Sequence, residues 1–425
     1  MKIAFFGTTA AALLAAADAA SNVTTGRGSP GCGKRVPKTG GNDFTPMFDV
    51  DGVNRMFRTY TPSQYDKDTP QPLILAFHGT AKTQQSLTLQ SQFSDKSVNR
   101  NMMVQYMTAY KGRWYGPSHA YPEADDLRYT EMALEHLMNN YCIDVDRVYL
   151  VGHTGGAGFA NILACDPRFS RHFAGMALMA PTLYRDLDDD YCKHANVPMP
   201  ILEVHGNNDE TSPYWGLPNR VVGAIPAIPD WVRRWVRRNG CDPTPRKTKL
   251  VMGEDVFSDK YTCHGHFGFV EHIRAMRHGY NWMTKHDVLD ISPIMISFLN
   301  SHIRPGNMSI PLDDKGNFTC LGGYTPPADW PGHANFTSSA NSTIPGTSTS
   351  SGNRTATHSS TTHGSTAHSP PPHWPTFHSP PPHSTYGSTH TIPGGITSST
   401  DSAQPGSSKE TSTGYYDRPS YHRGG

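Results

Sequence analysis

Past its first twenty residues the chain has no apolar run approaching the roughly 20 residues that a membrane-spanning helix needs. It has no excess of one charge either, since 37 Lys and Arg against 36 Asp and Glu leave a formal net charge of +1. That balance argues against nucleic acid or an anionic membrane surface as a partner. Its seven cysteines include no Cys-x-x-Cys pair, which argues against a thiolate zinc site, so no metal and no other cofactor is expected.

The N-terminus is charged and then apolar: Met1 and Lys2 precede a run from Ile3 through Leu14, and Ala-rich sequence ends at Ala19-Ala20-Ser21. This is the pattern of a secretory leader over residues 1–20, so export and an extracellular location are expected. The C-terminus, Tyr421-His422-Arg423-Gly424-Gly425, lacks the apolar tail of a lipid-anchor signal. In an oxidising compartment Cys32, Cys142, Cys165, Cys192, Cys241 and Cys263 are disulfide candidates, with Cys320 just beyond the folded part. An odd count leaves one cysteine unpaired or intermolecular, and spacing leaves the connectivity open.

Composition changes after about Pro305, which divides the chain into a leader, a domain over 21–305 and a tail over 306–425. The tail is rich in Ser, Thr, Pro, Gly and His, too poor in apolar surface to offset its ordering entropy, and is expected to be disordered. Asn-x-Ser/Thr acceptors stand at Asn307, Asn317, Asn335, Asn341 and Asn353, with another at Asn22, and dense Ser/Thr with Pro suggests O-glycosylation. His358, His363, His368, His373, His378 and His383 recur at five-residue intervals, and HSPPPH occurs at His368 and again at His378. Such a tract suits metal binding or adhesion to acidic polysaccharide, and equally an expanded glycosylated stalk.

In the domain, Leu73-Ile74-Leu75-Ala76-Phe77, Val148-Tyr149-Leu150-Val151 and Pro200-Ile201-Leu202-Glu203-Val204 are short apolar runs that stop at Gly-containing turns, the mark of buried strands. Leu127 to Asn140 has helical apolar spacing through Met132, Leu134, Leu137 and Met138. Strands alternating with helices predict a parallel doubly wound α/β sheet, with ligands at the C-terminal strand ends. Trp231 and Trp235 lie one turn apart on an amphipathic segment whose arginines read as a solvated face. His264 and His266 near Cys263 have no acidic partner at metal-ligand spacing and read as loop residues.

The segment Gly152-His153-Thr154-Gly155-Gly156 follows a strand and opens a helix, the arrangement of a nucleophile elbow in which Thr154 occupies the central position usually held by Ser. Around it, Gly31-Cys32-Gly33-Lys34, FHGTAKT from Phe77, SQFS from Ser91, YCIDVDRVYLVG from Tyr141, LACD from Leu163, ILEVHGNNDETSPYWG from Ile201, NGC from Asn239 and the run from Tyr261 to Trp282 occur in order. Together they resemble the fungal secreted feruloyl esterases related to polyhydroxybutyrate depolymerases. The resemblance implies an α/β-hydrolase fold, a carboxylic-ester hydrolase activity and feruloylated plant cell-wall polysaccharide or a phenolic ester as ligand.

Carried over residue by residue, the resemblance makes Asp209 the triad acid and Thr154 the nucleophile position, with the amides of Thr80 and Gly155 as oxyanion donors. Alignment on Val270-Glu271-His272 and Trp282 puts Tyr280 where the family has its triad histidine. A neutral hydroxyl needs an imidazole to take its proton, and a phenol titrating near pH 10 does not serve. His278, two residues away beside flexible Gly279, is the candidate rescue base, with His153 and His286 weaker ones. Trp114, Tyr115 and Tyr214 are the expected cleft walls. Three readings follow, for a monomer in each case: a relative that binds feruloylated wall polysaccharide with hydrolysis weak or lost, an active esterase using Thr154, His278 and Asp209, or a wall- or metal-binding stalk acting through the tail.

Overall fold

A computed structural model describes residues 26–322 apart from 37, 45–47, 219, 220, 222, 252–254 and 305–309. The chain divides into two units, Met1–Ser338 and Ser339–Gly425, and every described residue lies in the first. The leader, the acceptors Asn22, Asn307, Asn335, Asn341 and Asn353, and the histidine repeat lie outside the described residues.

Twelve strands are described: β1 Gly41–Phe44, β2 Phe48–Val50, β3 Val53–Arg55, β4 Phe57–Thr61, β5 Gln71–Phe77, β6 Met103–Met107, β7 Ile143–His153, β8 Gly175–Met179, β9 Ile201–Gly206, β10 Arg246–Lys249, β11 Val256–Cys263 and β12 His266–Ala275. Ten form one sheet in the order β1-β4-β6-β5-β7-β8-β9-β12-β11-β10, with β2 and β3 as a separate pair. The six from β6 through β12 in that order run parallel, and antiparallel strands flank them on both sides. The three strands expected from sequence are β5, β7 and β9, each buried along its length, as parallel strands covered on both faces are.

Period-two alternation sorts their side chains. Leu73, Leu75 and Phe77 face the cluster built with helices α2 (Asp126–Asn140), α3 (Gly155–Cys165), the short α4 (Pro167–Ser170) and α5 (Ile228–Arg238), whereas Ile74 and Ala76 face the cluster built with α1 (Gln84–Ser91) and α6 (Ile291–Asn300). Each buried Leu, Ile or Phe among them contributes on the order of 1.5–3 kcal/mol. Helix α2 starts where Asp125 accepts from the Arg128 amide, satisfying one of its free N–H groups. Register aligns Phe77 with Gly152, Gly152 with Leu178 and Leu178 with Glu203, so the C-terminal ends of β5, β7, β8 and β9 meet at one edge of the sheet.

Three disulfides, Cys32–Cys142, Cys165–Cys192 and Cys241–Cys263, use all six candidates, and Cys320 is free and buried. The domain boundary at 305 needs correction, because residues 310–322 are part of the folded body. Phe318 is buried and exchanges hydrogen bonds with the Asn139 side chain, and the Cys320 amide donates to Glu135. The arginine face of α5 is also not wholly solvated: Arg234, buried, and Arg238, partly buried, pair with Asp186, while Arg233 and Arg237 are exposed. Trp231 and Trp235 are core residues.

Candidate active site

The elbow rises where β7 ends and α3 begins. Thr154 adopts φ 46°, ψ −116°, a left-handed conformation that a β-branched residue takes only under local constraint. The constraint is the close approach of helix and strand: a Cβ on Gly152 would stand 2.3 Å from the Ala157 Cα. Thr154 is held by its own amide on the Met179 carbonyl and by the amides of Gly158 and Thr182 on its carbonyl. Its hydroxyl lies over Gly79, where a Cβ would come within 2.6 Å of Oγ1. Thr80 packs directly on Gly155, so the two expected oxyanion donors belong to adjacent backbone at the same edge.

The turn after β5 is braced from below. Buried His78 donates from Nδ1 to the Gly79 carbonyl and accepts the Ala109 amide at Nε2, and burial lowers its pKa to about 4. Trp114 donates to the His78 carbonyl and stacks on Phe159 at 5.2 Å between ring centroids. At 2 % exposure Trp114 is a core residue, which corrects its expected place in a cleft wall. Tyr115 is half-buried, accepts from Arg185 at its hydroxyl, and donates its amide to Asp126.

The side chains expected as acid and base are engaged by other partners. Asp209 Oδ1 accepts the amides of Thr211 and Ser212. Its Oδ2 lies 3.2 Å from His205 Nε2, but that N–H is directed at the Ser212 carbonyl, leaving Oδ2 buried without a hydrogen bond of its own. His278 donates from Nε2 to the Asn281 carbonyl, and its backbone packs with Gly279 on Gly206 at the end of β9. Tyr280 is half-buried, and its carbonyl accepts from His153 Nε2 at 2.8 Å. His153 Nδ1 is buried without a partner, and burial, opposed by the Tyr280 bond, lowers the ring to a pKa of about 4. Thus the edge brings Thr154, His153, Gly79 and Thr80 together, and His286 takes no part in it.

Behind Asp209 runs a buried polar chain that sequence reasoning missed. His205 Nδ1 donates to Glu203 Oε1 at 2.9 Å, Glu203 Oε2 lies 2.5 Å from His272 Nδ1, and the Tyr214 hydroxyl lies 2.9 Å from His272 Nε2. Glu203 and His205 are two apart on β9 and so share one face, and His272 is the register partner of Glu203 on β12. Burial disfavours the His205 cation, yet Asp209 and Glu203 outweigh it and raise its pKa to about 9. Burial likewise pushes the Glu203 carboxyl up, and His272 and His205 together bring it below the usual value. The one available signal was the Glu-x-His alternation within an otherwise apolar strand.

Parallel central strands and a Gly-flanked strand-to-helix elbow with backbone amides beside it are the α/β-hydrolase fold. Within that fold class the chain is similar in sequence to fungal feruloyl esterases. Probable feruloyl esterase C of Aspergillus niger is 24% identical over 222 residues, which is 51% of this chain and 72% of that protein. Feruloyl esterase D of Neurospora crassa is 24% identical over 226 residues, 51% of this chain and 69% of that protein. No family model matches. Among solved structures, acetyl xylan esterase from Aspergillus awamori aligns with TM-score 0.44 and 11% identity over 60% of this chain and 99% of that one. A ferulic acid esterase from Anaeromyces mucronatus aligns with TM-score 0.38 and 13% identity over 62% and 90%. Among the described residues no helix is long and apolar enough to cross a membrane.

Proposed function

We propose that this protein is an exported, glycosylated member of the feruloyl-esterase lineage that binds feruloylated plant cell-wall polysaccharide and whose ester hydrolysis is weak or lost. The observation that carries the reading is where the acid points: Asp209 Oδ2 faces buried His205 at 3.2 Å without a hydrogen bond of its own, and the resemblance places Tyr280 where the family has its histidine. A hydroxyl without a base attacks slowly, and loss of triad members from a hydrolase costs on the order of 10⁴–10⁶ in kcat. What persists in this reading is positioning: the elbow presents the Thr154 oxygen, and the Thr80 and Gly155 amides supply dipoles for a carbonyl oxygen.

The competing reading, an active Thr154, His278 and Asp209 triad, has in its favour that His278 stands on the loop packed at Gly206. It requires the His278 ring to leave the Asn281 carbonyl and turn toward Thr154. Hydrolysis of methyl ferulate and p-nitrophenyl acetate, measured on the full chain beside Thr154→Ser, Tyr280→His, the double variant and His278→Ala, separates the two. Activity gained only by the double variant is the expected result. Turnover by the unmutated chain that His278→Ala abolishes would establish the active triad instead.

A further inference from the structure

Where β11 and β12 lie against α5, a cavity of about 670 Å³ opens to the surface with no elbow residue in its lining, within the roughly 300–1,000 Å³ range of ligand sites. Its walls are aromatic: Tyr214, Trp215, Phe257 and Tyr261 all line it. Trp215 is 65% exposed and Phe257 38%, unusual for large apolar side chains that nothing covers. The Arg274 guanidinium sits 4.2 Å from the Tyr214 ring and 5.1 Å from the Trp215 ring, so it is aligned by the aromatic faces it stacks on.

Cations outnumber carboxylates in the lining of the cavity. Arg233, Lys247 and Arg274 line it with one carboxylate, Asp259; Lys247 pairs with that carboxylate at 3.4 Å and Arg233 with Asp230 on its own helix, so Arg274, which donates to the Asn207 side chain, is the lining cation that meets no carboxylate among the described residues. Cations continue beyond the cavity along β10, which reads Arg246-Lys247-Thr248-Lys249 and is exposed at every position, with Lys249 paired to Asp255 at 3.5 Å. Arg246 lies 5.6 Å from the Phe267 ring, and Lys249 lies 5.9 Å from the Phe257 ring. Cations are common on edge strands, where they discourage strand pairing. That role accounts for the lysines on β10 but not for an open aromatic cavity at its foot.

We propose that this cavity and the adjoining edge strand form a second binding site, for a segment of acidic polysaccharide. Apolar faces of sugar rings lie on Trp215 and Phe257, carboxylates meet Arg274 and Lys247, and the chain continues along β10. A small aromatic acid would use the cavity alone, whereas the run of cations along β10 matches a repeating anion. The site is independent of ester hydrolysis. It also touches the polar chain behind Asp209, since Tyr214 and His272 are walls of the cavity and members of that chain.

Affinity electrophoresis of the full chain in gels containing polygalacturonate tests this, with neutral arabinoxylan and a single-stranded oligonucleotide as comparison matrices. Polygalacturonate is expected to retard the protein, and retardation should weaken as salt rises. Trp215→Ala and Lys247→Glu, both at exposed positions, should each weaken binding about tenfold, in line with loss of one stacked or charged contact. Thr154→Ala should bind as the unmutated chain does. Equal retardation by neutral arabinoxylan, preferential retardation by the oligonucleotide, or unchanged binding by both variants would overturn the assignment.

Discussion

Replacing Glu203 with Gln removes a carboxylate that is fully buried between His205 at 2.9 Å and His272 at 2.5 Å. Taking one member from a buried charged network leaves its partners uncompensated, at a cost of about 3–5 kcal/mol. For a domain of this size that corresponds to a fall in Tm of about 6–20 °C. The pH dependence is the sharper signature. His205 binds its proton more tightly folded, with a pKa of about 9, than unfolded, near 6.5. Its contribution, on the order of 3 kcal/mol, is therefore fully present below pH 6.5 and is lost as pH rises through 9. Glu203 acts in the opposite sense, because its lowered pKa adds stability above its unfolded value near 4.5 that is lost as pH falls. The unmutated protein should thus lose Tm from pH 7 to 9.5 in differential scanning fluorimetry, and Glu203→Gln should start lower and show a flatter alkaline decline. A Tm within about 2 °C of the unmutated protein together with an unchanged alkaline slope would refute the network's role.

Trp114→Ala should lower stability by about 3–5 kcal/mol in urea unfolding, as expected of a core aromatic. Unchanged stability with loss of ligand binding would restore it to the cleft wall. Replacing Cys32 and Cys142 with Ser opens a bridge that spans 110 residues and should cost about 4–5 kcal/mol, read from the same unfolding midpoint. Truncation at Gly332 should leave binding to cell-wall material unchanged in a pull-down, whereas loss of binding would assign it to the tail.

The parallel sheet was legible because β5, β7 and β9 are unbroken apolar runs that end at glycine, and burial on both faces demands just that pattern. The elbow was legible too, since Gly152, Thr154 and Gly156 have a spacing that a strand-to-helix turn requires. Motif reading misplaced Trp114, because an aromatic beside Arg113 and Tyr115 looks like a surface platform until Phe159 is seen stacked on it. Composition likewise set the domain end at 305, although two buried residues, Phe318 and Cys320, pin the following segment to the body.

By itself, then, the sequence determined the periodicities and the elbow, which are local patterns, and the resemblance added the expectation that Thr154 and Tyr280 stand where the family has serine and histidine. Tertiary structure decided which cysteines pair, that the Tyr280 carbonyl engages His153, and that Asp209, His205, Glu203, His272 and Tyr214 form one chain. Those contacts join residues up to 127 positions apart, as with His153 and Tyr280. Their geometry depends on strand register and crossover, which no window of neighbouring residues encodes.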